Sequence, residues 1–345
     1  MNNTPYKELT AKYCAELLSD GAKNNKRLLI ITHRNPDGDA VGSAFALKRI
    51  YEAMGGAADC ACQDTVPAYL KAFVRENEDF ITTIEEDYDL YVTVDTASPS
   101  QMGGLVHLCE KVYASIDHHE NCTNFSDYFR INDASAAGEA VYEIYKILLS
   151  EGKLCESCEA ARLIFMAISS DSGSFQYSNT TSKTMHIAAE LMETINSEKC
   201  GMDTAEISRL LYNNKTLKEL NAKKIFIDKL SFAENGQIGY IVLTRDDIES
   251  FDLGSGELST AIDIPRCVEG VRCAFVLKEE KNSEKGERAF RLSTRSNSEI
   301  NVAAVCKAFG GGGHVKAAGA TVTAKNEKEA LEKVLSQFKI AIFGE

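Results

Sequence analysis

Four apolar runs of this chain end in acids or histidines, and that recurrence constrains the fold more than any other feature. "LLIIT" (Leu28–Thr32) runs into His33 and then into "RNPDGDA", with Asp37 and Asp39. "LYVTV" ends in Asp95, "VYASI" runs into Asp117, His118 and His119, and "LIFMAISS" ends in Asp171. In an open α/β sheet, ligands bind outside the carboxyl ends of the strands. Three strands and one helix ending this way deliver acids and imidazoles to one edge. Taken singly, each group has a plainer reading: Asp95 or Asp171 caps the next helix, His33 is a satisfied edge histidine, and Asp37 and Asp39 share a turn with Pro36 and Gly38. Independent turn acids have no reason to follow nearly every core element.

The rest of the first half supports such a sheet. "RLLIITH" (Arg27–His33), "DLYVTVD" (Asp89–Asp95) and "KVYASID" (Lys111–Asp117) have the length and β-rich composition of buried strands. "AVGSAFALKRIYEAMG" (Ala40–Gly55), "GEAVYEIYKILLSEG" and "SCEAARLIFMAISSD" have helical spacing, the last ending near Ser170. Alternating strands and helices predict an α/β domain with a doubly wound, mainly parallel sheet. Near residue 200 the pattern changes. "MDTAEISRLLYNN" opens with Asp203 and Glu206 in capping positions, and a helical stretch through Lys224 follows. "KLSFAENGQIGYIVLT" then reads as two strands about an Asn-Gly turn, and "GVRCAFVLKEE" with "ERAFRLSTRS" as a second hairpin. We therefore expect an α/β domain over 1–198, a helical connector over 199–224 and a smaller α+β domain over 225–345, with a cleft between the two domains.

Composition removes several function classes. The hydrophobic fraction of 44% and charged fraction of 26% are those of a globular protein. No apolar run approaches the roughly 18 residues of a membrane span, and residues 1–30 do not have the pattern of a secretory signal. A cytoplasmic protein with no membrane partner is the expectation. Eleven cysteines in a chain of this kind are reduced thiols rather than a disulfide framework. Cys155-x-x-Cys158 and Cys60-x-Cys62 each lack the second pair that a thiolate zinc site needs. The net charge of −13 argues against gripping long nucleic acid through a broad basic surface. A small phosphorylated ligand remains compatible, because a bound cation can reverse the charge locally.

The acids at the sheet edge fit that cation. Four carboxylates (Asp37, Asp39, Asp95, Asp171) balance two divalent ions, and two imidazoles add neutral nitrogen ligands. Oxygen-rich sites with some imidazole suit Mn²⁺. Two ions about 3.5–4 Å apart favour in-line attack on phosphorus.

"HRNPDGDAVGS", "VDTAS", "IDHHEN" and "SSDSGSF", in that order, resemble the four motifs of the Asp-His-His (DHH) phosphoesterases. "GGGGHVKAAGA" (Gly310–Ala320) resembles the glycine-rich signature of the DHH-associated domain. Together these cover nearly the whole chain, whose length is similar to the branch that acts as oligoribonuclease and 3′-phosphoadenosine 5′-phosphate (pAp) phosphatase. The resemblance implies that His33, Asp37 and Asp95 hold one Mn²⁺ and that Asp39, Asp95, His118 and Asp171 hold the other. It makes Asp95 the bridge, Asp117 an orienting carboxylate, and His119 a donor or acid facing the scissile phosphate.

In the second domain, "SNSEINVAAVCKAF" reads as a helix capped near Ser298, followed by Gly310–Gly313. Consecutive glycines let backbone N–H groups approach a phosphate. Gly311, Gly312, Gly313 and His314 are therefore substrate-binding candidates; the glycines alone would equally suit a hinge. Arg295 and Ser296 resemble the family's substrate-contacting pair, and a guanidinium suits a phosphate or a base face. The expected activity is Mn²⁺-dependent, two-metal hydrolysis of very short oligoribonucleotides to mononucleotides and of pAp to AMP. A phosphodiesterase for cyclic di-AMP or linear pApA is the alternative, and a non-catalytic nucleotide sensor lies further off. The partner is a small nucleotide or short oligonucleotide, and a homodimer stays open.

Overall fold

Arg27–Ile31 (β1) pairs in parallel with Ala57–Ala61 (β2) on one side and Leu90–Val94 (β3) on the other. Ala114–Asp117 (β4) and Asp127–Arg130 (β5) extend the sheet, giving the order β2-β1-β3-β4-β5, all parallel. This is the first sheet of a computed structural model that describes residues 6–120, 122–197, 201–280 and 287–344. Both faces of the sheet are buried, as a parallel sheet requires. Leu28 and Ile30 of β1 point into one core, with Val92 and Val94 of β3. Leu29 and Ile31 point into a second core with Tyr91, Met102, Leu105 and Leu108.

The first core is covered by helices Ala11–Lys23 (α1), Gly38–Ala53 (α2), Ala137–Ser150 (α3), Cys158–Asp171 (α4) and Ser182–Ile195 (α5). The second face is covered by 3-10 turns over Pro99–Lys111, interrupted at Gly103 (φ 57°). That segment shortens the strand expected over 111–117. Lys111 still belongs to the 3-10 turns, so β4 begins only at Ala114.

Thr204–Ser208 (α6) is capped by Asp203, whose carboxylate accepts from the Glu206 N–H at 2.8 Å. The helix expected to run on through Lys224 is broken. A π turn over Arg209–Asn213 ends at Asn214 (ψ 88°), and a new helix, Leu217–Asp228 (α7), starts behind the Thr216–Glu219 capping box. The sequence Thr-x-x-Glu starts a fresh helix because it satisfies two orphan N–H groups reciprocally.

The described chain forms two compact units, Met1–Asn214 and Lys215–Glu345. The second is built on a mixed sheet with the order β10-β11-β9-β8-β7-β6: Ser231–Ala233 (β6), Ile238–Leu243 (β7), Cys273–Glu279 (β8), Arg288–Ser296 (β9), Gly312–His314 (β10) and Ala317–Ala324 (β11). Both expected hairpins are antiparallel pairs, β6 with β7 and β8 with β9. The one parallel pair, β7 with β8, is joined through three short helices: Arg245–Ser250 (α8), Ser255–Thr260 (α9) and Asp263–Arg266 (α10). One face of this sheet packs on Val302–Lys307 (α11) and Glu327–Phe343 (α12), with Phe275 stacked between Tyr240 and Phe338. The other packs on α7 and its neighbours. The cap of α11 is Asn301 rather than a residue near Ser298. Its Oδ1 accepts from the N–H groups of Ala303 and Ala304, while Ser298 is tied to Ser296 and to the Arg272 carbonyl.

Candidate metal centre

The strand order of the first unit reverses direction between β1 and β3, and such a switch point leaves a crevice at the carboxyl ends. His33 follows β1 and Asp95 follows β3 immediately; Asp117 closes β4, and His118 and His119 come next. Helix α2 adds the remaining acids of the N-terminal motif. Asp37 is its cap, accepting from the N–H groups of Asp39 and Ala40 at 3.1 Å, and Asp39 sits in its first turn. The start of α2 abuts the end of α4, where Asp171 lies. A Cβ at Gly38 would fall 2.3 Å from Ser170 Oγ, so only glycine allows this approach.

Seven atoms converge here. His33 Nε2 lies 3.3 Å from Asp95 Oδ2 and 3.8 Å from Asp37 Oδ1. His118 Nε2 lies 3.5 Å from Asp171 Oδ2, 3.6 Å from Asp95 Oδ1 and 3.7 Å from Asp39 Oδ2. Asp95 therefore turns one oxygen to each imidazole. Three ligand sets each gather within 4.8 Å: His33–Asp37–Asp95, Asp39–His118–Asp171, and Asp95–His118–His119. The six residues expected as metal ligands are brought together.

These spacings are too long for good hydrogen bonds, and His118 Nε2 is buried with no hydrogen-bond partner. A buried imidazole nitrogen facing three carboxylates without bonding any of them fits a site built for a cation. The tautomers agree with that. His33 Nδ1 is bonded to the Arg34 carbonyl at 2.9 Å and His118 Nδ1 to the Ala134 carbonyl at 3.2 Å. Each Nδ1 thus carries a hydrogen, and in the neutral ring each Nε2 has its lone pair for a ligand.

Without a cation the cluster is electrostatically frustrated. Burial, with Asp95 and Asp171 nearby, pushes Asp39 well above the usual carboxylate range, and burial with Asp37 and Asp95 pushes Asp171 up to about 7. Burial would lower His33, but Asp37 and Asp95 outweigh it and raise it to about 11; His118 is raised to about 10 against its own burial by Asp95 and Asp39. Burial opposes ionisation of Asp95 as well, yet His118 and His33 hold its carboxyl below the usual range. Protons on the imidazoles balance part of the clustered negative charge.

Asp117 is fully buried and orients His119 rather than His118. Its Oδ1 takes the His119 Nδ1–H at 2.8 Å and the His118 backbone N–H at 2.8 Å. That bond raises the His119 pKa, against burial. His119 is the more exposed of the pair, and its Nε2 is left for a ligand.

The substrate-binding candidates of the second unit meet at one corner of its sheet. The strand register aligns His314 with Ala317 and Ala317 with Arg295, and Ser296 follows Arg295. Gly312 and Gly313 lie in the edge strand β10, and Gly311 immediately precedes it. Gly313 (φ 143°) packs so tightly on β11 that a Cβ would sit 2.6 Å from the Ala317 carbonyl, whereas Gly312 faces open space. The N–H of Gly311 is spent on the Cys306 carbonyl.

Several supporting groups escaped the sequence. Ser43 donates to Asp39 at 2.8 Å, one helical turn on, which i, i+4 spacing could have indicated. Tyr212, on the π turn, bonds the Ser169 carbonyl and accepts from the Ser174 N–H at 3.1 Å, tying the turn after Asp171. The Ala134 carbonyl and the N–H groups of Ala137 and Gly138 carry no side-chain signature at all.

Comparison with known proteins places both units in recognised domain families. The model of the DHH family N-terminal domain matches residues 27–168 and that of the DHHA1 domain matches 235–340. The chain is 28% identical over 313 residues to the bifunctional oligoribonuclease and PAP phosphatase NrnA of Thermus thermophilus, covering 89% of this chain and 88% of that protein. It is 27% identical over 308 residues to the protein of the same name from Bacillus subtilis, covering 88% and 92%. Among solved structures, an exopolyphosphatase-related protein from Bacteroides fragilis superposes with a TM-score of 0.81 at 19% identity, over 95% of this chain and 97% of that one. The exonuclease RecJ bound to manganese gives 0.52 at 17% identity, over 99% and 96%. These two likenesses bear on the fold.

Proposed function

The chain belongs to the DHH phosphoesterase family, a hydrolase of phosphoester bonds, and from that premise we propose that it cleaves very short oligoribonucleotides to mononucleotides and pAp to AMP. The observation that carries the metal-dependent reading is His118 Nε2, buried and unpartnered before Asp39, Asp95 and Asp171. Two relatives of similar length named as oligoribonuclease and PAP phosphatase support the substrate class.

His33, Asp37 and Asp95 would hold one divalent cation and Asp39, Asp95, His118 and Asp171 the other, with Mn²⁺ the ion that this oxygen-and-imidazole set suits. Cations held there supply Lewis acidity at the phosphoryl group. The chain's own part is placement. The Arg34 and Ala134 carbonyls fix the tautomers of His33 and His118. Asp117 locks the His119 ring through Nδ1 and raises its pKa, so that Nε2 keeps a proton to give to the leaving oxygen. In the second unit, Arg295 and Ser296 would hold the distal phosphate or base, with Gly311, Gly312, Gly313 and His314 lining the same corner.

One product assay separates this reading from its neighbours. With Mn²⁺ present, pAp and RNA of two to five nucleotides should be turned over faster than cyclic di-AMP, pApA or pyrophosphate. A preference for cyclic di-AMP or pApA would replace the proposal with the cyclic-dinucleotide one, and saturable binding without product would leave a sensor.

A further inference from the structure

Glu139 lies in the first turn of α3, is fully buried, and belongs to none of the candidate ligand sets. A single oxygen, Oε1, accepts three hydrogen bonds: from the Ser135 N–H at 2.9 Å, the Ser135 hydroxyl at 2.8 Å and the Thr184 hydroxyl at 2.7 Å. Its Oε2 is buried without a partner. A carboxylate in this position costs desolvation; two of its three bonds act on one short segment, residues 134–138, and the third anchors it to Thr184 of α5.

That segment touches two ligand candidates directly and reaches a third through Asn179. The Ala134 carbonyl holds His118 Nδ1 at 3.2 Å. The N–H groups of Ala137 and Gly138 bond Asp39 at 2.6 Å and 3.0 Å, so Asp39 caps α3 from another element, since Ala136 at the cap position makes no side-chain bond. The Ser135 carbonyl accepts from Asn179 Nδ2, which also bonds the Asp171 carbonyl, both at 3.1 Å. His118, Asp39 and Asp171 form one of the three candidate sets. No hydrogen bond among the described residues joins this segment to His33, Asp37 or Asp95.

We infer that Glu139 is a positioning residue for one of the two cation positions: by pinning residues 134–138 it orients Asp39, His118 and Asp171 together and leaves the His33–Asp37–Asp95 position untouched. The inference rests on the dinuclear reading given above. It implies a selective effect, which a residue needed only for the fold would not produce.

The test is Mn²⁺ titration of the full chain by calorimetry, with the bound ions followed by electron paramagnetic resonance. The parent protein should bind two ions. Glu139→Ala should weaken one of them roughly 10- to 100-fold, as loss of outer carboxylates does, while the other stays within about threefold. Glu139→Gln should keep both ions, because its amide oxygen can accept the same three bonds and the partnerless Oε2 is what the amide nitrogen replaces. Asn179→Ala, which cuts only the link to Asp171, should weaken the same ion as Glu139→Ala. Should Glu139→Ala not fold, the Gln and Asn179 variants carry the test. Equal weakening of both ions, or an Asn179→Ala protein that binds both as the parent does, would overturn the inference and spare the dinuclear reading. A parent protein that binds fewer than two ions would overturn the dinuclear reading itself, and the inference with it.

Discussion

Asp95 has a backbone φ of 51° in a buried position directly after β3. Non-glycine residues seldom adopt this conformation, and where they do it often serves function. Here it turns the carboxylate so that one oxygen meets His33 and the other meets His118. Asparagine tolerates the same conformation, so Asp95→Asn is the cleanest probe. It should lower kcat on the order of 10³-fold while the unfolding temperature in chelator stays near the parent's, because the variant also relieves repulsion with Asp39 and Asp171. A large loss of stability with kcat retained would contradict the role. The pKa values of the cluster give a second expectation. At pH 7 His33 and His118, raised to about 11 and about 10, hold protons in the cation-free protein. A cation must displace them, so binding releases protons and apparent affinity rises with pH. Calorimetry in two buffers of different ionisation enthalpy measures the release; affinity independent of pH would contradict it. The ligand side chains were legible in the sequence because each is an acid or imidazole following an apolar run. Their supports were not, since Ala134, Ala137 and Gly138 act through main-chain atoms.

Helix α2 does two jobs at its two ends. Its start supplies Asp37, Asp39 and Ser43 to the site. Toward its end, Arg49, only 3% exposed, bonds Glu52 at 3.0 Å, Glu159 at 2.7 Å and Glu78. Burial would raise Glu78 and Glu159, but Arg49, with Arg75 at Glu159, holds both carboxyls below the usual range. Groups depressed in this way stabilise the fold above their unfolded pKa, and the contribution is lost as pH falls through their folded pKa. Arg49→Ala should therefore cost about 1–3 kcal/mol at neutral pH by taking a buried guanidinium away from three half-buried carboxylates. The penalty should shrink below roughly pH 4, as urea unfolding at several pH values would register. A penalty unchanged by pH would point to lost packing instead. The elements themselves were legible wherever periodicity ran unbroken, as in α2, α3 and β7. The start of β4 was not, because "KVYASID" reads continuously as a strand and nothing local announces that 3-10 turns claim Lys111. The break before α7 had a visible signal in Thr216-x-x-Glu219, masked by helical residues on both sides.

At the scale of the whole molecule the acidity is unevenly divided. Residues 1–214 carry 18 Lys and Arg against 32 Asp and Glu, whereas residues 215–345 carry 20 against 19. The negative charge thus belongs to the unit that holds the candidate metal centre, and the near-neutral unit holds the substrate-binding candidates. A chain without a broad basic surface gains little from a long phosphate backbone. An excess of single-stranded RNA of about thirty nucleotides should slow hydrolysis of a trinucleotide less than about twofold at physiological salt; strong competition would contradict that. The two-unit layout was legible as a change from strand–helix alternation to hairpins, and the parallel sense of the first sheet follows from the same alternation, whereas β2 and β5 were not expected from the sequence. Metal-dependent hydrolysis at the cluster of His33, Asp37, Asp39, Asp95, His118 and Asp171 is tested most directly by following AMP release from pAp as free Mn²⁺ is raised from zero in chelator. Turnover should be absent in chelator and appear as Mn²⁺ occupies the site. Undiminished AMP release in chelator would contradict it.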